Sequence, residues 1–248
     1  MAFHYEEIPP APELSTYIDH FGKLTNSAGE ATCTVLPDGE FDLILEVVGN
    51  NLVNITLFGL RTYQTDILVS AHRTLYGIAF KPLAIEYILK TSIASLKNSS
   101  QHLPLTFWDF DQLTFTNLDH FARFASASMQ AIIRHNPPTT AWKVAAFNRI
   151  FRSQGSIFIQ ELAEQVNWSS RQMNRYVTKW LGLSLEAYKN IIRCAASYKD
   201  LLNGELYPLD GYYDQSHFIK DIRKYTGKKP SQLAENDRIL QCSTLFSR

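Results

Sequence analysis

The chain has 248 residues, 45% of them hydrophobic, which is enough for one large or two ordinary buried cores. Its formal net charge is zero, yet residues 1–140 hold 8 Lys+Arg against 14 Asp+Glu and residues 141–248 hold 16 against 10, a split that predicts a polyanionic partner for the second half only. No apolar run approaches the roughly 18 to 20 residues that span a bilayer, and the scattered Cys33, Cys194 and Cys242 exclude a disulfide framework and a thiolate zinc site, so the expectation is a cytoplasmic protein without a membrane partner.

From Thr32 to Lys81 the chain alternates β-branched and aromatic residues with turn signals. TCTVLP, FDLILEVV, LVNITLF, DILVSA and TLYGIAF read as about five strands of an antiparallel, barrel-like sheet, with PDGEF and GNN as turns. Asp38, Glu40 and Asp42 fall in the first of these turns and at the start of the strand after it, and read as solvated. Phe41, Arg61, Tyr63, His72 and Phe80 are candidates for a pocket lining, although alternation in a half-buried sheet produces the same residues as plain core. Pro82 opens PLAIEYILK, a predicted helix with proline at its first position. Leu118, Phe121, Phe124, Ala125, Met129, Ile132 and Ile133 keep helical spacing up to Asn136-Pro137-Pro138, which is taken as the boundary between residues 1–138 and 139–248.

Beyond that boundary everything reads helical. Ile159, Leu162, Ala163 and Val166 make one apolar stripe, and Asn167 suits the left-handed conformation that ends a helix. Ser169 begins S-x-x-Q with Gln172, a capping-box pattern that starts a second helix after a short turn. Met173, Tyr176, Val177, Trp180 and Leu181 form its apolar face and Gly182 its end. Arg171, Asn174, Arg175 and Thr178 form a polar stripe of the residue types that meet base edges and phosphates. Further on, GYYDQSHFIKDIRKYTG predicts a helix capped by Asp214, with Phe218, Ile222 and Tyr225 inward. His217 is read without a metal partner at i+3 or i+4, and no metal site is expected.

The stretch LAEQVNWSSRQMNRYVTKWLGLSLEAYKNIIRCAASYKDLL followed by GYYDQSHFIKDIRKYTGKKP resembles the C-terminal domain of the AraC family of bacterial transcription regulators. Leu162, Ala163, Ser169, Arg171, Met173, Arg175, Gly182, Ser184, Tyr188, Arg193, Ala196, Gly211, Tyr212, Asp214, Ser216, Phe218, Gly227 and Pro230 carry the likeness, over about residues 141–235. The resemblance implies an α+β protein with a β-rich N-terminal sensor or dimerisation domain and an all-α C-terminal domain with two helix-turn-helix units on a linker helix, here Leu185 to Leu202. It also implies DNA contacts by Ser170, Arg171, Asn174, Arg175, Thr178 and Lys179 in the first unit. Gln215, Ser216, His217, Lys220 and Lys224 are their counterparts in the second. Only NGELYPLD stands between Leu202 and Gly211, too short and too Pro-interrupted for a supporting helix, so the second unit reads as truncated.

VLPDG before a strand and G-x-x-F-x-P entering a helix are similar to N-terminal domains that precede this module in other bacterial regulators, without a transferable ligand residue. The implied partners are double-stranded DNA, a small-molecule effector, RNA polymerase and a second copy of the chain, with activation of transcription near the nucleoid and no cofactor. No GxSxG, HExxH, P-loop or GxGxxG is present, so no enzyme is expected. The alternative is a sensor or protein-interaction module whose DNA-binding domain has degenerated.

Overall fold

The computed structural model describes residues 3–135, 139–207 and 211–234. The Asn136-Pro137-Pro138 boundary, Pro208 and Cys242 lie outside the described residues. The fold is α+β, with an antiparallel β-rich first part and a helical second part.

Strands β1 (Phe3–Ile8), β2 (Ile18–Asn26), β3 (Ala31–Val35), β4 (Phe41–Val48), β5 (Asn51–Phe58), β6 (Thr65–Val69), β7 (Arg73–Phe80) and β8 (Ser100–Leu103) are all antiparallel to their neighbours. Six form one sheet in the order β1-β2-β7-β4-β5-β8, and β3 with β6 forms a separate ribbon. The five strands read from alternation are present as β3 to β7, whereas β1, β2 and β8 were not read. Alternation in β4 explains the layering: Phe41, Leu43, Leu45 and Val47 are buried on one face, and Asp42, Ile44 and Glu46 point to the other. The second face meets the ribbon around Leu24, Cys33, Val35 and Val69, beside a small cavity of about 40 Å³.

In β2 the register slips between Ile18 and His20, so Asp19 is an extra, bulged residue. After β7 the predicted helix is present, and its length from Ile85 to Leu89 is π-helical, stopped by Lys90 at φ 57°. Wider π geometry is a frequent local device for re-aiming a side chain, and here the turn presents Glu86 and Tyr87 to the helical half.

Among the described residues eight α-helices follow: α1 (Leu118–Arg134), α2 (Ala141–Arg152), α3 (Ile159–Val166), α4 (Ser170–Leu181), α5 (Leu185–Ala196), α6 (Tyr198–Leu202), α7 (Gln215–Thr226) and α8 (Pro230–Ala234). Asn117 caps α1, which docks on the sheet through Phe121, in ring contact with Phe21, Tyr76 and Phe110. One buried apolar cluster runs from Leu14 and Phe21 through Phe121 to Phe147, Tyr188, Phe218 and Leu233, so the two halves share a core. Of the pocket candidates, Phe41 and Phe80 are stacked core residues, Arg61 is buried against Asp42, and Tyr63 and His72 are exposed.

Candidate nucleic-acid interface

Helix α3 ends on Asn167 in the left-handed conformation (φ 52°), and three residues later α4 begins. Ser169 and Gln172 complete the capping box: the Gln172 amide donates to Ser169 Oγ and Gln172 Oε1 accepts from the Ser169 amide. Met173, Val177 and Leu181 are buried, which turns Arg171, Asn174, Arg175, Thr178 and Lys179 outward, with Ser170 half-buried. Among the described residues neither Arg171 nor Arg175 has an ion pair or hydrogen bond, so both guanidinium forks are available to phosphate or guanine. Asn174 is partly spent: its Oδ1 accepts from the Leu185 amide at 2.9 Å and so helps start α5. Thr178 donates to the Leu183 carbonyl at 3.3 Å, and Lys179 lies 4.8 Å over the Trp180 ring.

Asp214 caps α7, accepting from the His217 amide at 2.8 Å, and Phe218, Ile222 and Tyr225 are buried. Gln215, Ser216, Lys220 and Lys224 are exposed, with Lys224 Nζ donating to its neighbour Tyr225. His217 differs from its sequence reading. The residue at i+4 is Asp221, buried, whose Oδ2 lies 3.8 Å from His217 Nε2 and accepts from Arg193 of α5 at 2.7 Å. Burial opposes the Arg193 charge, but the Asp221 contact outweighs it and holds the guanidinium above its usual pKa. Arg193 also lies over the Tyr212 ring at 4.8 Å. Helix α7 is therefore latched to α5 by an ion pair as well as by its three apolar residues.

The linker expected from Leu185 to Leu202 is two helices. Ser197, buried at the break, donates its hydroxyl to the Cys194 carbonyl at 2.7 Å, a back-bond that competes with helix continuation. The second piece, α6, buries Tyr198 and Leu201 and packs against α5 and α8.

Both candidate recognition helices end on the sheet half. The Lys179 carbonyl accepts from Ser92 Oγ at 2.7 Å and the Trp180 carbonyl from the Ile93 amide at 3.1 Å, which satisfies the end of α4. The Tyr225 carbonyl of α7 accepts from the Gln64 amide at 2.9 Å. Glu86 receives Lys143 Nζ at 2.6 Å and the Tyr176 hydroxyl at 2.8 Å. Gly39, at φ 85°, lets the Pro37–Glu40 turn lie directly on α5: a Cβ there would sit 2.3 Å from Ile192 Cδ1.

That turn and the start of β4 carry the acidic residues read as solvated, and they are not. Glu40 and Asp42 are buried and Asp38 is half-buried. Burial, reinforced by the charge of Asp42, pushes the Asp38 carboxyl up to about 7, and burial with the charges of Asp19, Asp38 and Asp42 raises Glu40 well above the ordinary range. Burial raises Asp42 too, against the pull of Arg61 at 3.6 Å. Turn composition made Asp38 and Glu40 read as solvated, but the docking of α5 covers that turn, and Arg61 covers Asp42 in β4.

Residues 6–102 match the family described as a domain of unknown function, DUF6597. No curated protein matches the chain. Among solved structures the chain is similar to ToxT from Vibrio cholerae O395, at 11% identity and a TM-score of 0.45 over 99% of this chain and 98% of that one. It is likewise similar to unsaturated fatty acid-bound ToxT from Vibrio cholerae strain SCE256, at 10% identity and a TM-score of 0.43 over 94% of each chain. Likeness at this level leaves function to the residues themselves.

Proposed function

We propose that the chain is an AraC-type transcription regulator that binds double-stranded DNA in a sequence-specific manner. Residues 139–248 form the DNA-binding half, and residues 1–138 sense a small molecule or pair with a second copy. The observation that carries this reading is α4 itself: a helix fixed at both ends, with Arg171 and Arg175 outward and free. Those two side chains and the donor end of Asn174 read bases, Ser170, Thr178 and Lys179 position the backbone, and α7 adds Ser216, Lys220 and Lys224 at a second segment.

Selection of duplexes from a randomised pool with the full chain tests this. The expected result is a discrete motif, bound with an affinity that falls steeply with salt as counterions are released. A pool that stays unenriched, with binding no better in low salt than in high, overturns the reading. One observation favours the degenerate-module alternative: Asn174 Oδ1 and His217 are engaged inside the protein. Salt-dependent binding without any motif is the result that alternative predicts.

A further inference from the structure

The wall facing α5 gathers more buried carboxyl groups than it has cations to pair with them. Asp19, Asp38, Glu40 and Asp42 converge there, and the fixed positive groups are Arg61, on Asp42 at 3.6 Å, and Lys81, on Asp19 at 3.3 Å. His20 completes the group. The bulge at Asp19 breaks the alternation that would send neighbouring side chains to opposite faces, so Asp19 Oδ2 and His20 Nδ1 meet at 3.1 Å. One donor atom from each of Asp19, His20 and Glu40 lies within 4.8 Å of the other two. Two further atoms are left over: His20 Nε2, on a residue 6% exposed, and Glu40 Oε2, on a residue 9% exposed, have no hydrogen-bond partner among the described residues. A buried imidazole nitrogen and a buried carboxylate oxygen without partners are costly unless something occupies them.

We infer that Asp19, His20 and Glu40 form a binding site for a divalent first-row transition-metal ion in the wall between the sheet and α5. A histidine whose second ring nitrogen is held by a carboxylate is the usual arrangement of a metal-bound imidazole. Asp19 holds His20 Nδ1, and the unpartnered His20 Nε2 and Glu40 Oε2 supply one nitrogen and one oxygen ligand, a mixed set that suits such an ion better than calcium or magnesium, which take all-oxygen sets. The site has an entry path, a cleft of about 780 Å³ lined by Asp19, Asp38, Glu40, Gln154, Ala195 and Lys199 among others. Occupancy ties the Pro37–Glu40 turn to β2, and so fixes the surface on which Ile192 of α5 rests. The inference is independent of DNA binding.

Cobalt(II) added to the metal-free full chain is the test, read by its visible absorption and by thermal unfolding. The expected result is one saturable ion, no thiolate-to-cobalt charge-transfer band, and a melting temperature raised by roughly 5 to 10 °C at a hundredfold excess over Kd. Glu40→Gln keeps the shape of the side chain and replaces the carboxyl group with a neutral amide, a poor metal ligand. It should melt no lower than the parent without metal and lose both the absorption and the shift. His20→Gln should weaken binding at least about tenfold, and His4→Ala, at a residue 76% exposed, should leave it intact. The inference fails if the parent shows no saturable shift, if Glu40→Gln keeps it, or if the spectrum reports thiolate ligation. No DNA enters the measurement, so its failure leaves the proposed function standing, and the reverse holds.

Discussion

Asp221 is a carboxylate on an otherwise apolar face of α7, and Arg193 is what makes it tolerable there. Arg193→Ala leaves the carboxylate buried and unpaired and should destabilise the chain by about 3 kcal/mol in urea unfolding. Arg193→Ala with Asp221→Asn should cost less than the two changes summed, because they remove one interaction. Cys194 offers a second measurement. Burial pushes its thiol up to about 12, against a weak opposing contact from the Tyr198 hydroxyl, so it stays protonated at neutral and mildly alkaline pH. It should resist iodoacetamide at pH 8 in the folded chain and react once the chain is unfolded, as peptide mass spectrometry would show. At this scale the sequence was legible where a residue's role is local. Ser169, Asn167, Asp214 and Gly182 take the caps and turns their types demand. Glu40 was misread and Asp221 was passed over because their partners, α5 and Arg193, are distant in sequence.

Among elements, α4 depends on its first turn. Ser169→Ala removes the acceptor for the Gln172 amide and should cost about 1 kcal/mol of stability, measured by thermal or urea unfolding. The change should also weaken DNA binding, since Arg171 sits in the turn that frays. Arg171→Ala or Arg175→Ala should cost roughly 1 to 3 kcal/mol on the selected site and relax preference at particular base pairs. Lys220→Ala should weaken all duplexes alike and lower the salt dependence, as measured by titrations across salt concentrations. Strands β3 to β7 were legible because each has one buried and one more polar face. β1 and β2 were not: HYEE is charged, and the bulged Asp19, Gly22 and Lys23 interrupt the alternation of β2. The break at Ser197 was hidden for the opposite reason, since the apolar spacing continues through it.

For the whole molecule, the shared core predicts a single cooperative unfolding transition of the full chain, seen alike by tryptophan fluorescence and circular dichroism. A fragment of residues 139–248 should be less stable, because Tyr188 and Ile192 lose the Pro37–Glu40 turn and α4 loses Ser92 and Ile93. The charge split was visible in the sequence; that the acidic half also grips the ends of the basic half's helices was not, since backbone amides such as those of Gln64 and Ile93 leave no mark in composition. Those two grips have a geometric meaning. α4 and α7 are the jaws of a gauge, and both jaws are fastened to one plate, α4 at the loop after the π-helical turn and α7 at the loop before β6. If both helices meet DNA as proposed, the interval between them is set by the span across the sheet between Gln64 and Ile93 as well as by the length of α5. Under the proposed function, a ligand that altered that span would alter which two stretches of a duplex both helices can reach at once.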